Sequence, residues 1–294
     1  MSRDIHVHLL PDLFAPEALR GGIAIVIDVL RASTTIIHAL ASGAAAVYPC
    51  ASVGDARRLA QRLGRDVGPV GPTGPKVDPA SAPGDVGRIA NPSYRPSPAR
   101  QTGRTVLLGG ERLGVTIEGF DLDNSPASYS PERVAGCTIV FTTTNGTRAI
   151  ERSRKADRIL IGAFANRAAI VEALAADHRP VHFVCAGTDG QVTADDVLAA
   201  GMLAASLAER LGDDATLDEE ACVAAAFHAA HADDAARLNV LRGSRGGRNL
   251  IALGFDADIE QSARYDTCDV APEYDPLAGA LQDSRQTAVG SRQL

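Results

Sequence analysis

Lysine is nearly absent from this 294-residue sequence. Its 29 basic residues include two lysines, Lys76 and Lys155. An anion bound by this protein must therefore be held by arginine side chains, backbone amides or a metal ion. The formal net charge is −7 and the arginines form no run, so the sequence shows no basic surface for nucleic acid.

Long apolar runs are also missing. No stretch approaches the ~18 consecutive apolar residues that a membrane-spanning helix needs, and the mean hydropathy is −0.01. The N-terminal sequence MSRDIHVHLLPDLF carries Asp4, two histidines and Pro11 where an export signal needs an uninterrupted apolar core. We therefore expect a cytoplasmic protein that binds neither membranes nor nucleic acids. The sequence leaves open whether it forms a homo-oligomer.

Cysteines are few and far apart. Their number is odd and no two form a C-x-x-C pair, which argues against a disulfide framework and against a structural zinc site. We expect reduced thiols at all five positions, which are Cys50, Cys137, Cys185, Cys222 and Cys268.

The sequence does contain a recurring pattern of short Val/Ile-rich runs with helical segments between them. Runs that do not alternate between apolar and polar residues are typical of strands buried on both faces. The pattern predicts one α/β domain over residues 1–294, with a three-layer α/β/α fold and a mainly parallel or mixed sheet. Strands are predicted at 22–29, 44–50, 105–110, 137–143, 157–164 and 180–187, helices at 52–64, 193–212 and 218–238, and a short edge strand within 270–282.

One stretch, residues 64–103, interrupts this pattern. It is dense in proline and glycine and contains almost no large apolar residue. Such a composition adds little to a core, so we expect a surface insertion that folding does not require.

Polar side chains follow the predicted strands. In open α/β sheets, ligands bind in the crevice at the carboxyl ends of the strands, so these side chains should lie at one edge. A single aspartate there is commonly a helix N-cap, but several carboxylates together need a counter-charge. Mg²⁺ accepts carboxylate oxygens and keeps water and substrate phosphate as its other ligands, and helix N-termini bind phosphate. The sequence therefore predicts a site for a metal ion and a phosphate group.

The segment TTTNGTRAI at 142–150 allows two interpretations. It could be a polar turn with a threonine N-cap. It could also be an anion-binding loop, in which Gly146 permits close backbone approach and the hydroxyls of Thr144 and Thr147 donate to ligand oxygens.

Five ordered motifs, VIDVLRASTTI, LLGGER, EGFDLDNSP, TTTNGTRAI and VCAGTDG, resemble those of the 2-phosphosulfolactate phosphatase (ComB) family. The resemblance extends to the segment RGGRNLIALGFDADI and leaves out the insertion. It implies a three-layer fold and a Mg²⁺-dependent hydrolase that converts 2-phosphosulfolactate to sulfolactate and phosphate, a step of coenzyme M biosynthesis. The matching positions are Asp28, Arg31, Glu111, Arg112, Asp121, Asn124, Thr143, Thr144, Asn145, Gly146, Thr147, Cys185 and Asp189.

The leading hypothesis is metal-assisted hydrolysis of a phosphate monoester. The catalytic residues would be Asp28, Glu111, Asp121 and Asp189, of which the first three would hold Mg²⁺. Arginines would bind the substrate's anionic groups, and the candidates are Arg31, Arg112 and Arg148. In the alternative, Arg112 and Arg148 form surface ion pairs and Arg31 alone reaches the ligand.

Other chemistries remain open. The segment CAGTDGQ imitates the Cys-x5-Arg loop of thiol phosphatases, but Gln191 stands at the arginine position, so we expect Cys185 to be a buried residue rather than a nucleophile. The chain could instead be a regulatory protein that binds a phosphorylated metabolite, a phosphatase for another small phosphorylated acid, or a lyase or transferase acting on a phosphorylated enol acid. The histidines are expected to be structural.

Overall fold

The computed structural model describes residues 2–65 and 105–284. Within these residues an eleven-stranded mixed sheet carries helices on both faces, and the predicted α/β fold is confirmed. The predicted insertion lies outside the described residues, apart from Gly64 and Arg65.

The six predicted strands are all present. The strands of the described chain are β1 (Arg3–His8), β2 (Ile23–Ile27), β3 (Ala46–Pro49), β4 (Val106–Arg112), β5 (Val115–Thr116), β6 (Thr138–Thr142), β7 (Arg158–Ile161), β8 (Val181–Cys185), β9 (Ala215–Leu217), β10 (Pro272–Asp275) and β11 (Ala280–Asp283).

Side-chain caps mark the start of some of the helices. Ser52 accepts a hydrogen bond from the backbone N–H of Asp55 and begins the second helix. The helix predicted over 218–238 is two helices, because Asp233 caps a new one by accepting from the N–H of Ala236. The α-helices of the described chain are α1 (Ala32–Ala41), α2 (Val53–Arg62), α3 (Pro131–Val134), α4 (Gly146–Arg152), α5 (Arg167–Ala175), α6 (Ala194–Leu211), α7 (Glu219–Ala230), α8 (Asp234–Gly243), α9 (Arg245–Ala252) and α10 (Asp256–Ser262).

The strands lie in the order β5-β4-β6-β3-β11-β10-β7-β2-β8-β1-β9. The prediction of an edge strand within 270–282 is wrong, because this segment forms the β10–β11 hairpin in the middle of the sheet. The hairpin runs antiparallel to β7 on one side and to β3 on the other. Tyr274 and Leu281 are buried there against the core. Local sequence could not distinguish an edge strand from a central one. The hairpin is central because β7 and β3, which are distant in sequence, pair with its two sides.

Alternate residues of β2 enter two separate cores, as strands covered on both faces require. Ile23, Ile25 and Ile27 pack against the helices of one face, including α6 and α7. Ala24 and Val26 pack against α1 and α4 on the other face. None of the helices in the described ranges is long and apolar enough to cross a membrane.

Candidate active site

A cleft with a volume of about 350 Å³ opens beside the carboxyl ends of β2, β4 and β6. The segments after these strands line the cleft together with the loop after β8 and helix α9. Several predicted site residues come together here: Asp28, Arg31, Glu111, Asn124, Thr143, Thr144, Asn145 and Asp189.

Asp28 lies directly after β2 and is buried, with 7% of its surface exposed. Its Oδ1 accepts a hydrogen bond of 3.3 Å from the N–H of Ala32, in the first turn of α1. Burial, together with the nearby carboxylates of Asp195 and Glu111, raises the pKa of its carboxyl to about 7. No salt bridge of the described chain involves this carboxylate, so its charge is not neutralised by the fold.

Glu111, near the end of β4, connects three segments around the cleft. Its Oε1 accepts from the N–H and the hydroxyl of Thr144, at 2.9 and 3.1 Å. Its Oε2 accepts from the N–H of Gly114 at 2.8 Å. The glutamate therefore fixes the loop after β6 and the turn before β5 by charge-assisted hydrogen bonds.

The TTTNGT segment lacks the predicted threonine N-cap, and Thr144 donates to a protein carboxylate. Helix α4 begins at Gly146, and its N-cap residue Asn145 makes no side-chain capping bond. The donors of Thr144 are committed to Glu111, and Thr147 faces Thr143, with 3.4 Å between the hydroxyl oxygens. The segment therefore orders the carboxylate that a metal ion would need, and Thr143 and Asn145 are the parts of it that line the cleft along with Thr144.

Gly146 is required for a close approach between two parts of the fold. A Cβ on this residue would lie 2.6 Å from Cβ of Ala32 and 2.9 Å from Oδ2 of Asp28. The close backbone approach predicted for Gly146 is therefore made to helix α1 and to the carboxylate of Asp28.

Arg31 is the one arginine among the described residues that line the cleft. It is 3% exposed. Its Nη1 donates to Asp258 Oδ2 at 2.7 Å and its Nη2 donates to the carbonyl of Gly114 at 3.2 Å. The guanidinium lies 4.5 Å from the ring centre of Phe255. Sequence analysis missed Asp258 and Phe255, because no local spacing relates them to Arg31.

Asn124 presents an oxygen without a partner. The residue lines the cleft and is 3% exposed, yet its side-chain Oδ1 has no hydrogen-bond partner among the described residues. A buried amide oxygen in this condition is costly unless a ligand, water or ion completes it.

Two further carboxylates lie behind the cleft, in the first turn of α6. Asp196 accepts from the N–H groups of Val29 and Gly187, at 2.9 and 2.8 Å. Burial raises the pKa of Asp195 to about 6. These residues were not predicted, although the TADD sequence after the β8 loop marks a helix N-terminus that could bring carboxylates to the same edge.

Asp189 stands at the mouth of the cleft in a left-handed conformation with φ of 53°. Its Oδ2 lies 3.0 Å from Nε of Arg245, at the start of α9. Arg245 was not predicted either, and its ion pair is about half exposed on both sides.

Other predicted residues lie outside the cleft lining. Asp121 forms a two-point ion pair with Arg65 and accepts from the N–H of Leu108 at 2.7 Å. Arg112 donates to the Thr142 hydroxyl at 2.8 Å. A surface ion pair joins Arg148 to Asp12, as in the alternative considered from the sequence.

Cys185, the last residue of β8, is fully buried in the core beneath the sheet edge. Burial raises the pKa of its thiol well above the usual range, and the carboxylates of Asp196 and Asp195 add to the effect. A thiol of this kind is a poor nucleophile at neutral pH.

The donor set of the cleft suits Mg²⁺ better than a soft metal. The described residues contain no group of three or more His, Cys, Asp or Glu side chains arranged to hold a metal ion, so these side chains do not form a closed zinc site. Mg²⁺ commonly needs one or two carboxylates and takes water and phosphate for the rest. Asp28, Glu111 and the free oxygen of Asn124 offer such a set.

Comparison with known proteins agrees with this architecture. The model of the 2-phosphosulpholactate phosphatase family matches residues 8–71 and 96–276. The chain belongs to this family. The break in the match falls inside the predicted insertion, and all the cleft residues named above lie within the matched ranges.

Relatives of similar length support the assignment. A Deinococcus radiodurans protein, named a probable 2-phosphosulfolactate phosphatase, is 34% identical over 95% of this chain and 98% of its own. A Symbiobacterium thermophilum protein of the same name is 35% identical over 88% of this chain and 93% of its own. The family is thus one of phosphoric monoester hydrolases, and the resemblance seen in the motifs is confirmed.

Proposed function

We propose that this protein is a Mg²⁺-dependent phosphatase that hydrolyses 2-phosphosulfolactate to sulfolactate and inorganic phosphate. Family membership gives the reaction class. The observation that carries the proposal is the cleft itself, where the buried carboxylates Asp28 and Glu111 share one pocket with Arg31.

The charge of the cleft supports a requirement for a cation. The proposed substrate carries a phosphate, a carboxylate and a sulfonate, and the guanidinium of Arg31 is already paired with Asp258. Without another cation, Asp28 and Glu111 would repel such a polyanion. Asp28, Glu111 and Asn124 would hold Mg²⁺, which when bound polarises a phosphoryl oxygen and stabilises the charge that develops on it.

The chain's own residues would divide the remaining work. Arg31 would bind one anionic group through the donor capacity that its two known partners leave. A cleft carboxylate would take a proton from the attacking water as the water oxygen bonds to phosphorus. The bond between phosphorus and the ester oxygen would break, and the same proton would pass from the carboxylate to the departing alkoxide, which gives the alcohol and inorganic phosphate. Leu113 and Leu253 also line the cleft.

The finer biological assignments rest on the sequence alone. A place in coenzyme M biosynthesis is implied by the resemblance alone. Other small phosphorylated acids also carry a phosphate and an acid group, so a phosphatase for one of them stays the alternative. A cytoplasmic location and the absence of nucleic-acid binding likewise stay predictions, and a homo-oligomer stays an open alternative.

A phosphate-release assay tests the proposal. Purified protein would be incubated with 2-phosphosulfolactate and, as a matched substrate without the sulfonate, 2-phospholactate, each with Mg²⁺ or with EDTA. We expect Mg²⁺-dependent release that is faster for the sulfonated substrate. Thermal stabilisation by the substrate without phosphate release would identify a binding protein instead. A new carbon product without free phosphate would identify a lyase or a transferase.

A further inference from the structure

Helix α10 contributes an acidic side chain that touches a cleft residue without lining the cleft. Asp258 is 4% exposed. Its Oδ2 accepts from Nη1 of Arg31 at 2.7 Å, and the side chains of this ion pair are 6% and 2% exposed. A buried ion pair of this geometry is costly to separate, because either charge alone would remain desolvated.

The guanidinium of Arg31 is restrained on two further sides. Phe255, the residue before α10, lies with its ring centre 4.5 Å from the guanidinium carbon, within the range of a cation–π contact. The carbonyl of Gly114 accepts from Nη2 at 3.2 Å. The N–H of Gly114 donates to Glu111, so the backbone of this one residue contacts both the cation and a carboxylate of the cleft.

The second oxygen of Asp258 contacts the segment that contains the cleft residue Asn124. Oδ1 accepts from the hydroxyl of Ser125 at 2.7 Å. Ser125 follows Asn124, whose Oδ1 has no partner among the described residues. One carboxylate therefore connects the loop after β2 to the segment that carries Asn124.

We propose that Asp258 is a positioning residue that holds Arg31 and the Asn124 segment in their substrate-binding arrangement. The proposal rests on the proposed function, in which Arg31 binds an anionic group of the substrate. Without the Asp258 charge, the strongest attraction for Arg31 would come from the carboxylates of Asp28 and Glu111 in the cleft. Arg31 would then turn away from the substrate and compete with the cation for those carboxylates.

The primary test is Asp258→Asn, compared with Asp256→Asn. Asp256 lies on the same helix and pairs with Arg242 at 2.8 Å, with 46% of its side chain exposed. We expect Asp258→Asn to raise KM for substrate at least about tenfold and to raise the Mg²⁺ concentration at half activity, with a smaller fall in kcat. Asp256→Asn should change neither. Asp258→Glu should recover part of the loss.

A double-mutant cycle separates positioning from general destabilisation. If Asp258 acts through Arg31, Asp258→Asn should have less than about a twofold effect on kcat/KM in an Arg31→Met background. Equal effects in both backgrounds, or an unchanged KM and Mg²⁺ requirement in the single variant, would overturn the proposal.

Folding failure has its own control. Ser125→Ala removes the donor to Oδ1 and leaves the Arg31 pair intact, so it should fold and raise KM by about two- to fivefold. If Asp258→Asn is unfolded and Ser125→Ala has wild-type kinetics, the proposal is wrong.

Binding of inorganic phosphate distinguishes this proposal from the proposed function. Calorimetry with phosphate and Mg²⁺ needs no turnover. If the wild type binds phosphate but releases none from any substrate, the phosphatase assignment fails. Asp258→Asn should still weaken phosphate binding by about the factor seen for Arg31→Met, and equal phosphate affinity in Asp258→Asn and wild type would contradict the positioning role.

Discussion

Asp28 and Asp121 are both aspartates that the sequence predicts as metal ligands, but their carboxylates differ in whether an arginine pairs with them. Asp28 is buried at the cleft and forms no salt bridge within the described residues. Asp121 is held by both terminal nitrogens of Arg65 and by the N–H of Leu108. The comparison teaches that a carboxylate near a strand end is available to a ligand only where the fold leaves its charge unmatched.

The largest effect is expected for Asp28→Asn. The amide keeps the volume but removes the charge that a cation would bind, so kcat should fall at least about a hundredfold, or about 2.7 kcal/mol of barrier. Initial rates of phosphate release would measure this, with circular dichroism to confirm folding. Near wild-type activity at limiting Mg²⁺ would return Asp28 to the role of a helix cap.

Glu111→Gln should follow, with a loss of about thirtyfold. A glutamine has one acceptor oxygen, whereas Glu111 accepts from Thr144 and Gly114 on two oxygens. One loop should therefore detach in addition to the loss of charge. Steady-state kinetics should show the change in both kcat and the Mg²⁺ requirement, and a change in neither would remove Glu111 from the metal site.

Cys185→Ser should keep at least about a tenth of the activity, a loss of no more than roughly 1.4 kcal/mol in barrier. The thiol is buried, and its raised pKa keeps it protonated. Rapid-quench analysis should find no phosphocysteine. A folded variant that still binds Mg²⁺ but has no turnover would show that the β8 loop carries nucleophilic catalysis.

Asp121→Asn should have the smallest effect on turnover, within about threefold of wild type. Its partly buried pair with Arg65 is worth about 1 kcal/mol, and the loss of the pair lowers the melting temperature by about 1–2 °C in a protein of this size. Calorimetry and kinetics together would check both values. A hundredfold loss of kcat without a loss of stability would place Asp121 in the active site.

The fold class could be predicted from the sequence because buried parallel strands are apolar throughout, and because helix boundaries such as the Ser52 cap of α2 are local features. It also placed Asp28, Glu111 and Arg31 at one edge, since strand ends are local features. It could not reveal that Arg65 neutralises Asp121, that Asp258 holds Arg31, or that Asp195 and Asp196 lie behind the cleft. The Arg65–Asp121 pair joins residues 56 positions apart, and the Arg31–Asp258 pair joins residues 227 positions apart. No short-range spacing in the sequence encodes such contacts.

The same limit explains the TTTNGT segment. Threonine hydroxyls and a glycine after a strand suggest an anion-binding loop, yet Thr144 donates to Glu111 and Gly146 makes room for Asp28. The local chemistry was recognised, but its partner was another protein side chain. These two contacts form because β4 brings Glu111, and β2 brings Asp28, next to this loop.

The most direct test of the account is a Mg²⁺ titration of phosphate release from 2-phosphosulfolactate by three proteins, the wild type, Asp28→Asn and Asp121→Asn. We predict that EDTA abolishes turnover in all three, that wild type and Asp121→Asn reach half activity at the same Mg²⁺ concentration, and that Asp28→Asn needs at least about tenfold more or stays inactive. Turnover that survives EDTA, or an Asp28→Asn curve that overlays the wild type, would contradict the account.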